Sequence, residues 1–251
     1  KHPFYKPAVT FSINKSDVVT SVSEALKKET LKIFDIEKDI EVIPNFIETT
    51  KYKNNYTDCQ RTMMAKEDER IITHISNFRK VKRIPDVIKI FNRIQKEVPA
   101  KLIMVGEGPE KEKAEDMCDA LGLKDKVLFL GNSNEIDRIL CFSDMFLLPS
   151  ETESFGLAAL EAMINKVAII SSNTGGIPEV NIDGVSGYLA DVGDVETMAN
   201  KAIEILKDDD TLDQFKENAF NVASKFDIVH ILPLYEDLYE KAFKSRFKNT
   251  F

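Results

Sequence analysis

Short apolar runs alternate along the chain with longer segments in which apolar residues recur three and four positions apart. The short runs are rich in Val, Ile, Leu and Phe, which is typical of strands that are buried on both faces of a parallel sheet. They predict strands over residues 17–21, 41–44, 70–75, 101–105, 126–130, 144–148, 167–171 and 187–190. The longer segments predict helices over residues 23–34, 85–97, 109–121, 134–142, 156–164, 195–206, 211–224 and 228–243.

Strand and helix alternate regularly from residue 70 to about residue 190. This order predicts an α/β fold with a doubly wound, Rossmann-like parallel sheet. In such a sheet, ligands bind beyond the carboxyl ends of the strands. The turns that follow the predicted strands are therefore the first places to look for functional residues.

The polar segment 49–66 interrupts that order because it has no sustained apolar period. We therefore expect a linker or insertion over residues 49–68, a sheet domain over residues 69–226 and a C-terminal helix within residues 227–251. Residues 1–48 hold too little sheet for an independent domain of about 100 residues, and the chain begins with Lys1 rather than Met. They are interpreted as the remnant of an N-terminal domain whose beginning is absent.

Composition and charge narrow the function classes. Of the 251 residues, 43% are hydrophobic and 30% are charged, as in folded soluble proteins. No apolar run approaches the roughly 18 residues that span a bilayer, which excludes membrane insertion, and the net charge of −8 disfavours nucleic acid as a partner. Cys59, Cys118 and Cys141 show no metal-binding spacing, which indicates reduced thiols and a cytoplasmic location. With only three histidines, no metal site is expected.

Two glutamates with seven residues between them, Glu153 and Glu161, follow the predicted strand 144–148. If a helix begins near Phe155 or Gly156, Glu153 lies in the turn before it and Glu161 lies more than one turn inside it. The helix N-terminus between them favours a bound anion such as phosphate. The alternative is structural: Glu153 complements the helix dipole and Glu161 is only solvated.

A second candidate is the basic turn, residues 79–83, which follows the predicted strand 70–75 and precedes a helix that begins near Pro85. It carries four cations: Arg79, Lys80, Lys82 and Arg83. Cations before a helix N-terminus oppose the helix macrodipole, and a bound anion would explain their presence there. The alternative is a solvated loop in which Asp86 screens the helix end.

Four further patterns are weaker. Thr174-Gly175-Gly176 and Gly106-Glu107-Gly108 fit either a close approach of the backbone to a ligand or tight structural turns. His74 lies within a predicted buried strand and is interpreted as a hydrogen-bonded core histidine. Asp208 and Asp210 form a D-x-D pattern that could hold a cation, but the pattern follows a helix and is interpreted as a solvated turn.

Three segments together resemble the donor-binding domain of glycosyltransferase family 4, the retaining enzymes of GT-B fold. They are the Glu153-x7-Glu161 segment, the basic turn, and Gly175-Gly176-Ile177-Pro178-Glu179. The resemblance covers the chain from about residue 70 onward. Residues 74–83 are most similar to family members that act in bacillithiol biosynthesis. The chain thus resembles the C-terminal half of a GT-B architecture with a remnant of the N-terminal domain.

The resemblance implies a reaction and a set of contacts. The reaction is transfer of N-acetylglucosamine from UDP-N-acetylglucosamine to L-malate, with retention at the anomeric carbon and without a metal or other cofactor. Glu153 is implied to contact the sugar hydroxyls, and Glu161 the ribose hydroxyls. The sugar and diphosphate are implied to contact the turn residues Ser154, Phe155, Gly156 and Leu157. The diphosphate is implied to bind Arg79 together with Lys82 or Arg83. The uracil is implied to bind near Asn132 and Ser133.

The resemblance leaves several alternatives open. Many family members place the Arg and the second cation further apart than here, so either Lys82 or Arg83 could reach the phosphate. The acceptor site belongs largely to the N-terminal domain in this architecture, so the fragment is expected to be weak or inactive in transfer. Another UDP-sugar with an inositol, lipid or polysaccharide acceptor is one alternative, and a silent nucleotide-binding module or an epimerase is another. The apolar face of the last predicted helix indicates a homo-oligomer.

Overall fold

The structure is a computed structural model that describes residues 4–52 and 61–248, with side chains to residue 244. The chain divides into two compact units, one of residues 1–48 and 226–251 and the other of residues 49–225. No helix within the two described stretches is long and apolar enough to cross a membrane.

The smaller unit contains two short strands and three helices. Its elements are α1 (Tyr5–Lys15), β1 (Val19–Ser21), α2 (Glu24–Ile33), β2 (Ile40–Val42) and the last helix, α10 (Ile228–Lys248). Strands β1 and β2 pair in parallel. Ile231 and Leu238 of α10 form a buried apolar cluster with Ile43, against which Tyr235 packs. The apolar face predicted for the last helix is therefore partly covered inside this unit.

Helix α2 begins at a side-chain cap, because the Ser23 hydroxyl accepts a hydrogen bond of 3.0 Å from the Leu26 N–H. Ser23→Ala removes this bond and is expected to lower the local stability of α2 by about 1 kcal/mol. Hydrogen exchange of the α2 amides should accordingly quicken by about fivefold. Ser23→Thr keeps a capping hydroxyl and serves as the control. Equal exchange in the Ala variant and the wild type would contradict the cap.

The larger unit is built on a six-stranded parallel sheet. Its strands are β3 (Arg70–Ile75), β4 (Ala100–Val105), β5 (Val127–Gly131), β6 (Met145–Leu148), β7 (Ala168–Ser172) and β8 (Gly187–Ala190). Its helices are α3 (Ile84–Ile94), α4 (Lys111–Ala120), α5 (Ile136–Cys141), α6 (Leu157–Ile164), α7 (Ile177–Val180), α8 (Val195–Leu206) and α9 (Asp209–Ala223). The strand order is β5-β4-β3-β6-β7-β8.

Side chains on alternate positions of the sheet enter two separate apolar clusters. On β4, Leu102 and Met104 pack with buried residues of α3, α4, α8 and α9. Their neighbours Ile103 and Val105 pack in a second cluster with Ile139 of α5. Both faces of the sheet are therefore buried, and the predicted α/β fold with a doubly wound parallel sheet is confirmed.

Strand β3 lies at the centre of the sheet, between β4 and β6. The chain runs outward from β3 through β4 to β5, and then returns to the other side of β3 with β6. Such a topological switch point opens a crevice beyond the carboxyl ends of the two central strands. The basic turn follows β3 and Glu153 follows β6, so both candidate segments lie at this edge.

The cysteines differ from the sequence-based expectation. Cys118 is a free, buried thiol, and burial with the negative charges of Asp119 and Glu115 raises its pKa to about 11. Cys141, however, is disulfide-bonded, so the prediction of three reduced thiols is wrong. Residue spacing does not reveal which cysteines approach each other in the fold. Cys59 lies outside the described residues.

Candidate functional site

An ion pair joins the basic turn to the Glu153 loop. The Lys82 Nζ lies 2.5 Å from the Glu153 Oε2, and the two side chains are only 20% and 19% exposed. Beside this pair, the Glu151 N–H donates a hydrogen bond of 2.8 Å to the carbonyl of Val81. The structure thus brings two of the predicted site residues, Lys82 and Glu153, together at the switch point of the sheet.

The other cations of the basic turn have different surroundings. Arg79 is exposed and precedes a short 3-10 turn, Lys80–Lys82. The Arg83 Nε lies 2.5 Å from the Asp86 Oδ2. The Arg83 guanidinium also lies against Gly193, because a Cβ at position 193 would be 2.9 Å from the Arg83 Nη2. Arg83 is therefore held by its own helix and by the loop after β8, whereas Lys82 reaches Glu153.

Helix α6 begins slightly later than predicted. Its N-cap is Gly156, with φ of 98°, and its first helical residue is Leu157. A glycine adopts this φ without the strain that a side chain would bring. Ser154 is exposed and Phe155 is buried in the turn that precedes the helix. As predicted, Glu153 lies in this turn and Glu161 lies more than one turn into the helix.

The loop after β7 packs against the backbone of the Glu153 turn. A Cβ on Gly175 would lie 1.9 Å from the Glu153 carbonyl oxygen, and one on Gly176 would lie 2.4 Å from that of Ser154. The Gly176 N–H donates a hydrogen bond of 3.0 Å to the same Glu153 carbonyl. The two glycines therefore form a tight turn that fixes the position of Glu153.

Glu161 lies in a cluster of acidic groups that the sequence did not indicate. Burial, followed by the charge of Asp137, raises the pKa of the Glu161 carboxyl, and burial also raises the pKa of Asp137. Burial and the charges of both carboxylates raise the pKa of Tyr52 to about 12. Tyr52 belongs to the polar segment that was predicted to be a linker. No residue spacing in the sequence predicts that Tyr52 or Asp137 lies near Glu161.

Asn132 and Ser133 follow β5, the outer strand of the sheet. Asn132 is exposed, and the Ser133 hydroxyl accepts a hydrogen bond of 3.0 Å from the Glu135 N–H. Strand β4 separates β5 from β3. The two residues therefore lie at the same edge of the sheet as Glu153 but two strands away from the basic turn.

His74 and Asp208, two of the weaker candidates, make hydrogen bonds that stabilise the fold. His74 is fully buried, with both ring nitrogens in hydrogen bonds, so its interpretation as a core histidine is confirmed. Asp208 accepts a hydrogen bond of 2.8 Å from the Thr211 N–H and thereby caps α9. Asp208 is exposed in the turn between α8 and α9, so its interpretation as a solvated turn is confirmed. Across residues 4–52 and 61–248, no group of three or more His, Cys, Asp or Glu residues could hold a metal ion.

Comparisons with known proteins agree with this geometry. The family described as glycosyl transferases group 1 matches residues 60–222. The N-acetyl-alpha-D-glucosaminyl L-malate synthase of Bacillus anthracis is 42% identical over 239 residues, which are 94% of this chain and 63% of that protein. Because the family matches more than half of the chain, the chain belongs to the glycosyl transferases group 1, as its residues predict.

Two solved structures share the fold. Sucrose-phosphate synthase from Thermosynechococcus elongatus has a TM-score of 0.86 at 21% identity, over 95% of this chain and 61% of that one. Anabaena HepE, in complex with UDP and glucose, has a TM-score of 0.84 at 23% identity, over 93% of this chain and 66% of that one. These neighbours confirm the predicted GT-B likeness of the fold. The chain spans less than two thirds of the length of all three proteins named here.

Proposed function

We propose that the larger unit holds the donor of a retaining, UDP-sugar-dependent hexosyltransferase. The observation that carries the proposal is the contact between Lys82 and Glu153, which joins a cation and a carboxylate at the switch point of the sheet. A sugar diphosphate presents hydroxyls beside two phosphates, so it needs both kinds of group within one crevice. Membership of the glycosyl transferases group 1 supports the same reading.

In this proposal the residues of the Glu153 turn, together with Glu161, Asn132 and Ser133, keep their predicted roles. Glu153 contacts the sugar hydroxyls, and Glu161 contacts the ribose hydroxyls. The turn at the start of α6 faces the sugar and the diphosphate through Ser154, Phe155, Gly156 and Leu157. Asn132 and Ser133 receive the uracil. Burial, followed by the charge of Asp137, raises the pKa of the Glu161 carboxyl.

Between the two candidate cations, we assign the diphosphate to Lys82, together with Arg79. Lys82 already reaches the Glu153 loop. Arg83 is paired instead with Asp86 of its own helix and lies against Gly193. Arg79 is exposed at the start of the same turn.

The mechanism follows from the charge that develops on the leaving group. As the bond between the sugar and UDP breaks, negative charge grows on the departing phosphate. Preorganised cations and helix N–H groups stabilise that charge more than they stabilise the ground state. The acceptor hydroxyl then attacks from the face that UDP leaves, and its proton passes to a phosphate oxygen. Lys82 and Arg79 take the part that a metal ion has in other transferases, so no metal is required.

We further propose N-acetylglucosamine as the sugar and L-malate as the acceptor, in bacillithiol biosynthesis. The support is the 42% identity to the Bacillus anthracis enzyme, whose name states both. We also propose a cytoplasmic location for this reaction. The alternative is another UDP-sugar with an inositol, lipid or polysaccharide acceptor.

Calorimetric titration of the 251-residue chain tests the donor assignment without the transfer step. UDP and UDP-N-acetylglucosamine are expected to bind, with UDP-glucose weaker because it lacks the acetamido group. GDP-mannose should bind at least about tenfold more weakly, since a wrong base leaves buried polar groups unpaired. Preference for the guanine nucleotide would rule out the uridine assignment, and failure of every nucleotide to bind would rule out the donor site.

A further inference from the structure

The ring of His74 contacts Phe78, the residue that precedes the basic turn. The His74 side chain is 0% exposed on the central strand β3. Its ring stacks on Phe78, with ring centroids 6.1 Å apart, and on Phe146 of β6, at 6.3 Å. The imidazole therefore connects the two strands that border the switch point and also contacts the segment that leads to Arg79.

The hydrogen bonds of His74 determine which of its ring nitrogens carries the hydrogen. The Nδ1 lies 2.8 Å from the Leu147 carbonyl oxygen. Because a carbonyl oxygen can only accept, the Nδ1 carries the hydrogen and the neutral ring presents the Nε2 as an acceptor. The Nε2 lies 2.8 Å from the Ser76 Oγ and therefore receives the hydroxyl hydrogen. The Ser76 Oγ in turn accepts the Phe78 N–H at 3.3 Å.

This chain of bonds requires the neutral imidazole. Burial lowers the pKa of His74 to about 4; the hydrogen bond to the Leu147 carbonyl opposes that shift, and the charge of Lys82 adds to it. The ring is therefore uncharged around pH 7. A protonated Nε2 would present a hydrogen toward the Ser76 hydroxyl and reverse the order of donors and acceptors.

Residues 76–78 are held in a conformation that they would not adopt alone. Phe78 is a non-glycine residue with φ of 37°, and it is fully buried. A Cβ on Gly106 would lie 1.8 Å from the Ser76 carbonyl oxygen, and one on Gly108 would lie 2.1 Å from that of Asn77. Left-handed backbone at a bulky residue persists only where its surroundings determine it. Here the loop after β4 and the Ser76 hydroxyl provide those surroundings.

We propose that His74 and Ser76 are positioning residues that set the conformation of residues 76–78 and thereby present Arg79 and Lys82 to the diphosphate. The proposal rests on the donor site proposed above. Neither side chain needs to touch the ligand, because their effect passes through the Phe78 N–H to the backbone of the basic turn. In this proposal the buried His74 supports ligand binding indirectly, by positioning the backbone of the basic turn.

The test uses Ser76→Ala in the 251-residue chain. Loss of the hydroxyl leaves the Phe78 N–H and the His74 Nε2 without their partner, so the Kd for UDP in calorimetry should rise about fivefold to tenfold. Ser76→Thr restores a hydroxyl and should recover the affinity. Thr73→Val is the matched control. It removes another buried hydroxyl of β3, which pairs with the Ser143 Oγ at 2.6 Å, and it should lower the melting temperature while leaving UDP affinity within about twofold.

The outcomes separate the two proposals. If the wild type binds UDP and Ser76→Ala binds it equally well, the positioning proposal fails while the donor site stands. If the wild type does not bind UDP, the donor site fails. The ¹⁵N shifts of the imidazole provide a further test that does not depend on ligand: a hydrogen on the Nδ1 supports the arrangement, and a hydrogen on the Nε2 overturns it.

Discussion

Lys82→Ala is expected to weaken the binding of UDP by about 30-fold, because it removes a charge-assisted hydrogen bond to the diphosphate. Calorimetric titration measures the change directly. Arg83→Ala is the matched control, since Arg83 is the next residue but is engaged by Asp86 and lies against Gly193. It should change UDP affinity by no more than about threefold. If Arg83→Ala caused the larger loss, the assignment of the diphosphate to Lys82 would be wrong.

Glu153→Gln distinguishes two roles for the carboxylate that pairs with Lys82. The Lys82 ammonium is held by Glu153, and a diphosphate competes for it. Removing the carboxylate charge frees Lys82, so UDP should bind as well as before or about threefold better. UDP-N-acetylglucosamine should bind more weakly, because the sugar hydroxyls lose a charged acceptor. Equal changes for both ligands would mean that Glu153 only holds Lys82 and does not contact the sugar.

The fold was largely predictable because its strands are buried on both faces. Continuous apolar runs gave the observed bounds of β3 (Arg70–Ile75) and β8 (Gly187–Ala190), and a clear apolar period gave those of α8 (Val195–Leu206). Helix α1 (Tyr5–Lys15) was missed. None of its residues is buried, so it has no apolar face for a pattern to reveal.

The position of the candidate site in the fold was predictable where a strand leads into a helix through a turn, as at Glu153 and the basic turn. The different surroundings of Lys82 and Arg83 were not, because they depend on contacts between distant parts of the chain. Arg83 has a left-handed backbone with φ of 52° and lies against Gly193, a residue far along the sequence. Tyr52 was missed for the same reason, since only the fold brings it near Glu161.

The opposite edge of the same sheet contains a buried carboxylate that holds several elements together. Asp144 is 3% exposed. It lies 2.7 Å from the Arg61 Nη2 and 2.8 Å from the Lys216 Nζ of α9. It also accepts the Ile71 N–H at the start of β3, at 2.8 Å. The carboxylate thus links β3, β6 and α9 at the edge away from the proposed donor.

Asp144→Asn is expected to lower the free energy of unfolding by about 3–5 kcal/mol, because two partly buried cations lose their counter-charge. Urea denaturation followed by circular dichroism measures the loss. The control is Glu217→Gln, on the residue next to Lys216. Glu217 forms an exposed ion pair with Lys166, at 2.7 Å, and its removal should cost no more than about 0.5 kcal/mol. A similar loss in both variants would mean that burial of Asp144 is unimportant.

The stability difference between the wild type and Asp144→Asn is expected to depend on pH. Burial raises the pKa of Asp144, but attraction to Lys216 and the hydrogen bond with it, together with Arg61 and the Ile71 N–H, outweigh that effect and lower the pKa below its ordinary value. The unfolded chain has the ordinary value of about 3.9. The stabilisation by Asp144 is therefore complete above about pH 4 to 5 and is lost as the pH falls through the lower pKa of the folded state. The stability difference between the wild type and Asp144→Asn should stay constant from about pH 5 to pH 8 and shrink below about pH 4. A difference that persisted undiminished at about pH 2 would show that the carboxylate charge does not stabilise the fold.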